Sequence, residues 1–296
     1  MPKATLIIPT LERPDILLGL LKSLERQTER DFETVVVDQS DVANAAAKAL
    51  ADASNGRIVY LFIERKSLPN ARNVGAQKAA GDILIFIDDD VELAAEFVAA
   101  HVARLSDAGL AAVAGRITGG YDDGPADAKI VGAICPITGS VTRNFHVTFP
   151  VDSIEQLPGG NFSVRAKVYR ELGGFDPDTF GGPASIGEET DFACRLRTAG
   201  HRIAFEPKAH LIHLHAPRGG CRDDSVTRWT FWHGHNMAAL RRRYSPWYLW
   251  LPFVWIQTAR YFVHAVKKAN PLVWPSGVWG TMLGIARGPT HHRPTP

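Results

Sequence analysis

Three consecutive aspartates, Asp88, Asp89 and Asp90, directly follow the apolar run Ile-Leu-Ile-Phe-Ile at residues 83–87. This run has the composition of a strand that is buried on both faces. Carboxylates at the end of a core strand are costly to bury unless opposite charge offsets them, as a divalent cation with bound phosphates does. The alternative is an acidic turn, which typically needs only one aspartate. The sequence therefore predicts a metal and nucleotide site here.

The elements before this site alternate between strand and helix patterns. Strands are predicted at residues 5–8, 34–37, 58–63 and 83–87, and helices between them at 14–24, 42–53 and 69–80. Pro9 is expected to stop the first strand, and Asp41 to cap the second helix. This order is typical of an α/β fold with a mostly parallel sheet and helices on both faces. Ligands of such sheets bind beyond the carboxyl ends of the strands, where Thr10, Asp38 and the three aspartates would meet.

The pattern is irregular from residue 115 to 158, where we expect loops and weak strands. Regular elements return afterwards: a strand at 161–165, helices at 166–172 and 188–198, and strands near 202–205 and 210–215. Gly200 is expected to end the second of these helices.

The last quarter of the chain contains all seven tryptophans. Its apolar stretch at residues 247–266 is long enough to span a bilayer, but Pro252, Gln257, Arg260 and His264 interrupt it. An interfacial helix with aromatic and basic anchors is one interpretation. The other is a helical subdomain that packs on the core or on a second subunit.

Composition excludes several classes of protein. The net charge is +2, which gives no reason to expect a nucleic-acid partner. Cys135, Cys194 and Cys221 lie far apart, so they indicate neither a disulfide framework nor a zinc site and suit a reducing compartment. The first apolar run is too short for a signal peptide. We therefore expect a cytoplasmic location, peripheral on the cytoplasmic face of a membrane if the C-terminal region contacts lipid.

Six motifs in order resemble the family 2 glycosyltransferases of the GT-A fold, over residues 4–215. They are Leu-Ile-Ile-Pro-Thr-Leu-Glu-Arg-Pro at 6–14, Val-Val-Val-Asp-Gln-Ser at 35–40, Pro-Asn-Ala-Arg-Asn-Val-Gly at 69–75 with Gly-Asp at 81–82, the aspartates at 88–90, Gly-Gly-Asn at 159–161 with Gly-Gly-Phe-Asp at 173–176, and Gly-Glu-Glu-Thr-Asp-Phe at 187–192 with Arg195. Each motif alone is weak, but their order is specific.

The resemblance implies an inverting, metal-dependent transfer of a sugar from a nucleotide diphosphate, with a UDP- or dTDP-sugar as the expected donor. The expected acceptor is a saccharide or a lipid-linked saccharide. Residues 1–114 would form the donor half of the domain and residues 115–216 the acceptor half. Residues 217–296 would form a C-terminal helical region for membrane contact or oligomerisation, with a homodimer as one outcome.

The resemblance also assigns metal and donor residues. Asp90 is the first expected ligand of Mg²⁺ or Mn²⁺, and Asp88 is a second ligand or a contact to ribose or to a metal-bound water. A later histidine completes the metal site in relatives, and His213 suits that role, with His215 as the alternative. The remaining residues expected on the nucleotide sugar are Pro9, Thr10, Arg13, Asp38, Arg72 and Asp89. Arg72 is expected either to bind the diphosphate or to pair with the aspartates.

A carboxylate must accept the proton of the acceptor hydroxyl. The family motif is Glu-Asp, whereas this chain has Glu188 and Glu189, followed by Asp191. Glu189 is the first candidate for the base, Asp191 is its rival, and Glu188 completes the acidic set. One or two of them could instead be solvated acids favoured by the helix dipole.

The acceptor is expected to contact Gly159, Gly160, Asn161 and Arg228. Arg228 lies in Ser-Val-Thr-Arg-Trp at residues 225–229, where processive synthases have Gln-x-x-Arg-Trp. Serine in place of glutamine predicts a non-processive enzyme.

Two other functions remain open at this stage. A nucleotidyltransferase would need a glycine-rich phosphate loop after the first strand, which residues 9–13 lack. A non-catalytic, membrane-associated sugar-nucleotide-binding protein would tolerate loss of the acidic residues, which are present.

Overall fold

The computed structural model describes residues 3–119, 124–125, 127–180, 186–220 and 225–287. Cys221 lies outside these ranges. The described residues form an eight-stranded sheet flanked by helices. The α/β fold with a mostly parallel sheet is therefore confirmed.

The first half of the sheet is parallel. Its strands are β1 (Ala4–Thr10), β2 (Phe32–Asp38), β3 (Ile58–Phe62) and β4 (Ile83–Ile87), and its helices are α1 (Pro14–Ser23), α2 (Ala45–Ala53) and α3 (Leu68–Lys78). Thr10 pairs with Asp38 in the register of β1 and β2, so both residues reach the same rim. Every residue of β4 is buried, as expected for a strand covered on both faces.

The second half mixes directions. Its elements are β5 (Val91–Leu93), α4 (Phe97–Arg104), β6 (Leu110–Thr118), β7 (Ala133–Ile134), β8 (Val141–Thr142), β9 (Asn161–Arg165), α5 (Ala166–Glu171), α6 (Pro177–Phe180), α7 (Glu188–Thr198) and β10 (Arg202–His213). The strand order across the sheet is β3-β2-β1-β4-β9-β6-β10-β5, whereas β7 and β8 pair with each other in a separate two-stranded sheet. The short strand β5 pairs antiparallel with the end of β10, with Val91 opposite His213. This register carries His213 to the aspartates that precede β5.

Three local expectations were wrong. Pro9 does not stop β1, which continues to Thr10. Because β4 pairs with β1 only as far as Ile7, the missing N–H of the proline costs no hydrogen bond to β4. Asn44 rather than Asp41 caps α2, since its side chain accepts a hydrogen bond from the backbone N–H of Ala47. The two strands expected at 202–215 are one strand, β10, with an irregularity between Glu206 and His210.

The C-terminal region consists of α8 (Val226–Tyr244), α9 (Trp250–Lys267) and α10 (Val273–Arg287). Helices α8 and α10 approach so closely that a Cβ atom at Gly280 would lie 2.0 Å from the carbonyl oxygen of Phe231. Glycine is therefore required at this crossing. Among the described residues, the helices lack the combination of length and apolar character that crossing a bilayer requires.

Candidate active site

Asp88, Asp90 and His213 form the centre of the site. One ligand atom from each lies within 4.8 Å of the others. His213 Nε2 is 3.3 Å from a carboxylate oxygen of Asp90 and 3.8 Å from one of Asp88. Two carboxylates and an imidazole suit Mn²⁺, and the carboxylates also suit Mg²⁺. The residues present therefore fit the divalent cation that the sequence predicts.

His215 lies beside this group rather than in it. The Nδ1 atoms of His213 and His215 are 2.9 Å apart, and the two rings pack edge to face. Among the described residues, His213 is the histidine that groups with Asp88 and Asp90. Of the two histidines left open by the sequence, the geometry favours His213.

Asp89 points away from the metal group. One of its carboxylate oxygens accepts a hydrogen bond from Thr10 at 2.6 Å, and the other accepts one from Arg13 at 2.7 Å. Arg13 also lies 3.1 Å from Asp90 and donates to the backbone carbonyl of Arg218. Both Asp89 and Arg13 are buried. Arg13, which directly precedes α1, therefore contacts both Asp89 and Asp90 and links the start of α1 to them.

The two buried aspartates differ in their proton affinity. Burial raises the pKa of Asp89 to about 6, against the opposing hydrogen bonds of Thr10 and Arg13. Burial alone would also raise the pKa of Asp90, but the hydrogen bond and charge of His213, helped by Arg13, hold it below its ordinary value. Asp90 is therefore ionised at neutral pH, as a metal ligand must be.

Arg72 links the metal group to α7. It is almost fully buried, donates to the carbonyl oxygen of Gly159, and lies 3.1 Å from Glu188 and 3.4 Å from Asp88. Burial, followed by the adjacent Glu189 carboxylate, raises the pKa of Glu188 well above its ordinary value, although Arg72 opposes the shift. Arg72 was expected either to bind the diphosphate or to pair with the aspartates, and in the structure it pairs with Asp88 and also with Glu188.

Glu189 lies where two cavities meet. A smaller cavity of about 240 Å³ is lined by Asp88, His213, Gly160 and Glu189, among others. A larger cavity of about 820 Å³ extends from Glu189 to α8 and α9 and includes Trp229, whereas Asp191 is not among the residues lining either one. Glu189 thus faces both the metal side and the larger space.

Asp191 is fully enclosed. Its carboxylate accepts hydrogen bonds from Arg195 at 2.9 Å, from Tyr244 at 2.7 Å and from Arg243. Arg243 also bonds Asp176 at 2.9 Å. This cluster ties α7 to α8 and occupies both carboxylate oxygens of Asp191.

Asp38 borders a separate cavity of about 420 Å³ at the rim of β1 and β2. Asp38 is buried and accepts hydrogen bonds from Tyr60 Oη at 2.5 Å and from the backbone N–H of Ser40 at 2.9 Å. Thr10 and Arg13 line the same cavity, and Pro9 is buried in β1.

The predicted acceptor residues are not brought together. Gly159 and Gly160 line the smaller cavity, but Asn161 is buried in the sheet, where it donates to the carbonyls of Arg116 and Ala209. Its carboxamide oxygen lies 3.0 Å from His101 Nε2. Arg228 is exposed on the first turn of α8, and its neighbour Trp229 lines the larger cavity instead.

Sequence reasoning missed most of the larger cavity. Its wall includes Arg143 and Gln156 from the irregular segment and His233, Gln257 and Arg260 from the C-terminal helices. The Ser-Val-Thr-Arg-Trp motif predicted Arg228 rather than its neighbour Trp229, and no motif indicated the others.

Comparisons with known proteins agree with this architecture. The sequence model described as Glycosyl transferase family 2 matches residues 5–172, and that described as Glycosyl transferase family group 2 matches residues 137–291. The chain is 24% identical to the O-antigen biosynthesis protein RfbC of Myxococcus xanthus over 83% of its own length and 19% of that protein. It is 29% identical to the succinoglycan biosynthesis protein ExoM of Rhizobium meliloti, over 71% of this chain and 67% of that protein. It therefore spans about a fifth of the first relative and two thirds of the second.

Among solved structures, the fold is similar to that of the mannosyltransferase PcManGT from Pyrobaculum calidifontis, determined in complex with GDP-Man and Mn²⁺. The TM-score is 0.58 and the sequence identity 20%, over 97% of this chain and 76% of that one. At this identity the likeness establishes the fold, which is of the GT-A type.

Proposed function

The chain belongs to glycosyltransferase family 2, and we propose that it transfers a sugar, with inversion, from a UDP- or dTDP-sugar to a saccharide or lipid-linked acceptor. The observation that carries this proposal is the position of Glu189 between the cavity beside Asp88 and His213 and the larger cavity beyond. A base there can reach an acceptor hydroxyl on one side and a donor on the other.

On the donor side, Asp88, Asp90 and His213 would hold Mn²⁺ or Mg²⁺. The bound cation supplies Lewis-acid stabilisation of the negative charge that develops on the leaving diphosphate. Asp38, Thr10 and the adjoining rim would bind the nucleoside. Arg72 and the Arg13–Asp89 pair hold the carboxylates in position, because each arginine contacts at least one of the three aspartates.

On the acceptor side, Glu189 would remove the hydroxyl proton as the oxygen attacks the anomeric carbon. Its neighbour Glu188 is buried against Arg72 and holds its proton more tightly than usual, so the more exposed Glu189 is the better base. Asp191 positions α7 through Arg195 and Arg243. A single displacement of this kind inverts the anomeric centre.

The two other functions lose support. A nucleotidyltransferase has no use for a base that faces a second cavity, and a non-catalytic binding protein has no use for a base at all.

We also infer contact with a membrane surface. Large apolar side chains on α9 are exposed, among them Leu251 and Trp255, which are 74% and 76% accessible. Residues 225–287 contain no aspartate or glutamate, and their exposed basic residues are Arg228, Arg242, Arg260, Lys267, Lys268 and Arg287. An aromatic and basic helix of this kind suits an anionic lipid surface. A second copy fits less well, because it would bring like charges together.

A thermal-shift panel tests the donor site. UDP-, dTDP- and GDP-sugars are added with and without Mn²⁺ to the parent protein, to Asp90→Ala and to Asp52→Ala, an exposed control acid. We expect one nucleotide family to raise the melting temperature only with Mn²⁺, and Asp90→Ala alone to lose this shift. A folded parent protein that shifts with no donor would contradict the proposal.

A further inference from the structure

The larger cavity has a basic end opposite Glu189. Glu189 is the one acidic side chain among the described residues that line it, whereas Arg143, His233 and Arg260 contribute nitrogen groups near α8 and α9. Burial, followed by the charges of Arg260, His264 and Arg143, lowers the pKa of His233 to about 4. His233 is therefore neutral at neutral pH, and the positive charges that act on this space are those of Arg143 and Arg260, whose field favours an anion there.

Hydrogen-bonding groups surround the same cavity. Gln156 and Gln257 are each 3% accessible, and the carboxamide oxygen of each has no hydrogen-bond partner among the described residues. Arg260 donates to the hydroxyl of Ser140 at 2.8 Å, which fixes its guanidinium at the wall. A buried acceptor atom without a partner is costly, and rotation of either carboxamide toward the cavity would let a sugar hydroxyl donate to its oxygen.

Building on the proposed function, we propose that this cavity binds an acceptor saccharide that carries a phosphate or diphosphate, with the anionic group at Arg143 and Arg260 and the attacking hydroxyl at Glu189. The volume of about 820 Å³ lies within the range of sites for such ligands. Arginine suits this role, because its planar fork binds phosphate oxygens in pairs.

The source of the phosphate follows from the neighbourhood of Arg260. On α9, the same helix exposes Trp255, Phe262 and Val263 to solvent. An apolar chain attached to the phosphate could lie along this surface, whereas a soluble sugar phosphate would leave it uncovered. The shared chemistry is the phosphate, and the experiment separates the two sources.

Isothermal titration tests this site with geranyl diphosphate, geraniol and glucose 1-phosphate as probes. EDTA is present, so that the diphosphate cannot bind through a metal at Asp88 and Asp90. We expect geranyl diphosphate to bind at least tenfold more tightly than geraniol. If glucose 1-phosphate binds measurably but more weakly than geranyl diphosphate, the acceptor is lipid-linked. If glucose 1-phosphate binds as tightly as geranyl diphosphate, the site is supported with a soluble acceptor.

Variants localise the effect. Arg260→Gln should remove the tenfold preference for the diphosphate, and Arg260→Lys should retain most of it. Arg26→Gln, at an exposed site after α1 and outside the larger cavity, should leave the preference unchanged. Equal binding of geraniol and geranyl diphosphate, or equal effects of Arg260→Gln and Arg26→Gln, would overturn the proposal. If the Mn²⁺-dependent donor shift persists in that case, only the acceptor site is wrong and the proposed function stands.

Discussion

Gly160→Ala should weaken metal binding by roughly 10- to 100-fold without unfolding the protein. A Cβ atom at Gly160 would lie 2.5 Å from Oδ2 of Asp88, whereas ordinary contact begins at 3.4 Å. The carboxylate oxygen must therefore move by about 0.9 Å. Metal–ligand distances tolerate only about 0.2 Å, so Asp88 would leave the coordination sphere. Because the end of a flexible side chain moves and φ of Gly160 is not positive, the fold itself should be little affected.

The neighbouring glycine is the matched control. A Cβ atom at Gly159 would meet only ordinary contacts, 3.6 Å from Glu189 and 3.7 Å from Arg72. We expect the Mn²⁺ dissociation constant of Gly160→Ala to rise by roughly 10- to 100-fold, a loss of about 1.4 to 2.7 kcal/mol, and that of Gly159→Ala to change by less than about twofold. Electron paramagnetic resonance of free Mn²⁺ measures both. Equal affinity in the two folded variants would refute the placement of Asp88 in the metal site.

Three further predictions concern stability and localisation. Burial lowers the pKa of His101 to about 4, below the unfolded value of about 6.5. The contribution of His101 to the free energy of unfolding is therefore fully present above pH 6.5 and is lost as the pH falls from 6.5 to 4. Urea unfolding at a series of pH values should show that the parent protein loses up to about 3 kcal/mol in its free energy of unfolding over this range, and that His101→Gln does not. The same dependence on pH in both proteins would refute this prediction. Gly280→Ala should destabilise the protein by about 1 to 3 kcal/mol in the same assay, whereas Gly19→Ala, which meets nothing within 4 Å, should not. The protein should co-sediment with vesicles that contain anionic lipid, and both Trp255→Ser and high salt should reduce the bound fraction. Equal binding to zwitterionic vesicles would contradict the argument from charge.

The sequence predicted that Thr10, Asp38 and Asp88 would lie at one rim of the sheet, because their positions depend on strand ends. Thr10 and Asp38 end apolar strands and Asp88 directly follows one, and parallel strands bring such residues to one rim. The helix at Glu188–Thr198 was also predicted, since its acidic start and the glycine after its end are local signals. His213 came from the resemblance, and its position depends on the pairing of β5 with β10, which no local pattern indicates.

The acceptor side could not be predicted in the same way. The larger cavity is built from residues far apart in sequence, such as Arg143 and Arg260, which tertiary packing brings together. Asn161 was expected to face the acceptor because of its motif, but the antiparallel insertion of β9 between β4 and β6 turns its side chain into the sheet. Asp191 was a plausible base from its position alone, and only the packing of α8 reveals its three donors.

The most direct test of the account is the release of nucleoside diphosphate from the stabilising donor with Mn²⁺, compared in the parent protein, Glu189→Gln and Asp191→Asn. We expect Glu189→Gln to bind the donor normally and to lose at least about 100-fold in turnover, the scale of general-base catalysis. Asp191→Asn should lose stability, because its carboxylate pairs with buried Arg195 and Arg243, and should retain turnover while folded. Near-normal turnover in Glu189→Gln, with loss confined to folded Asp191→Asn, would contradict the assignment of the base.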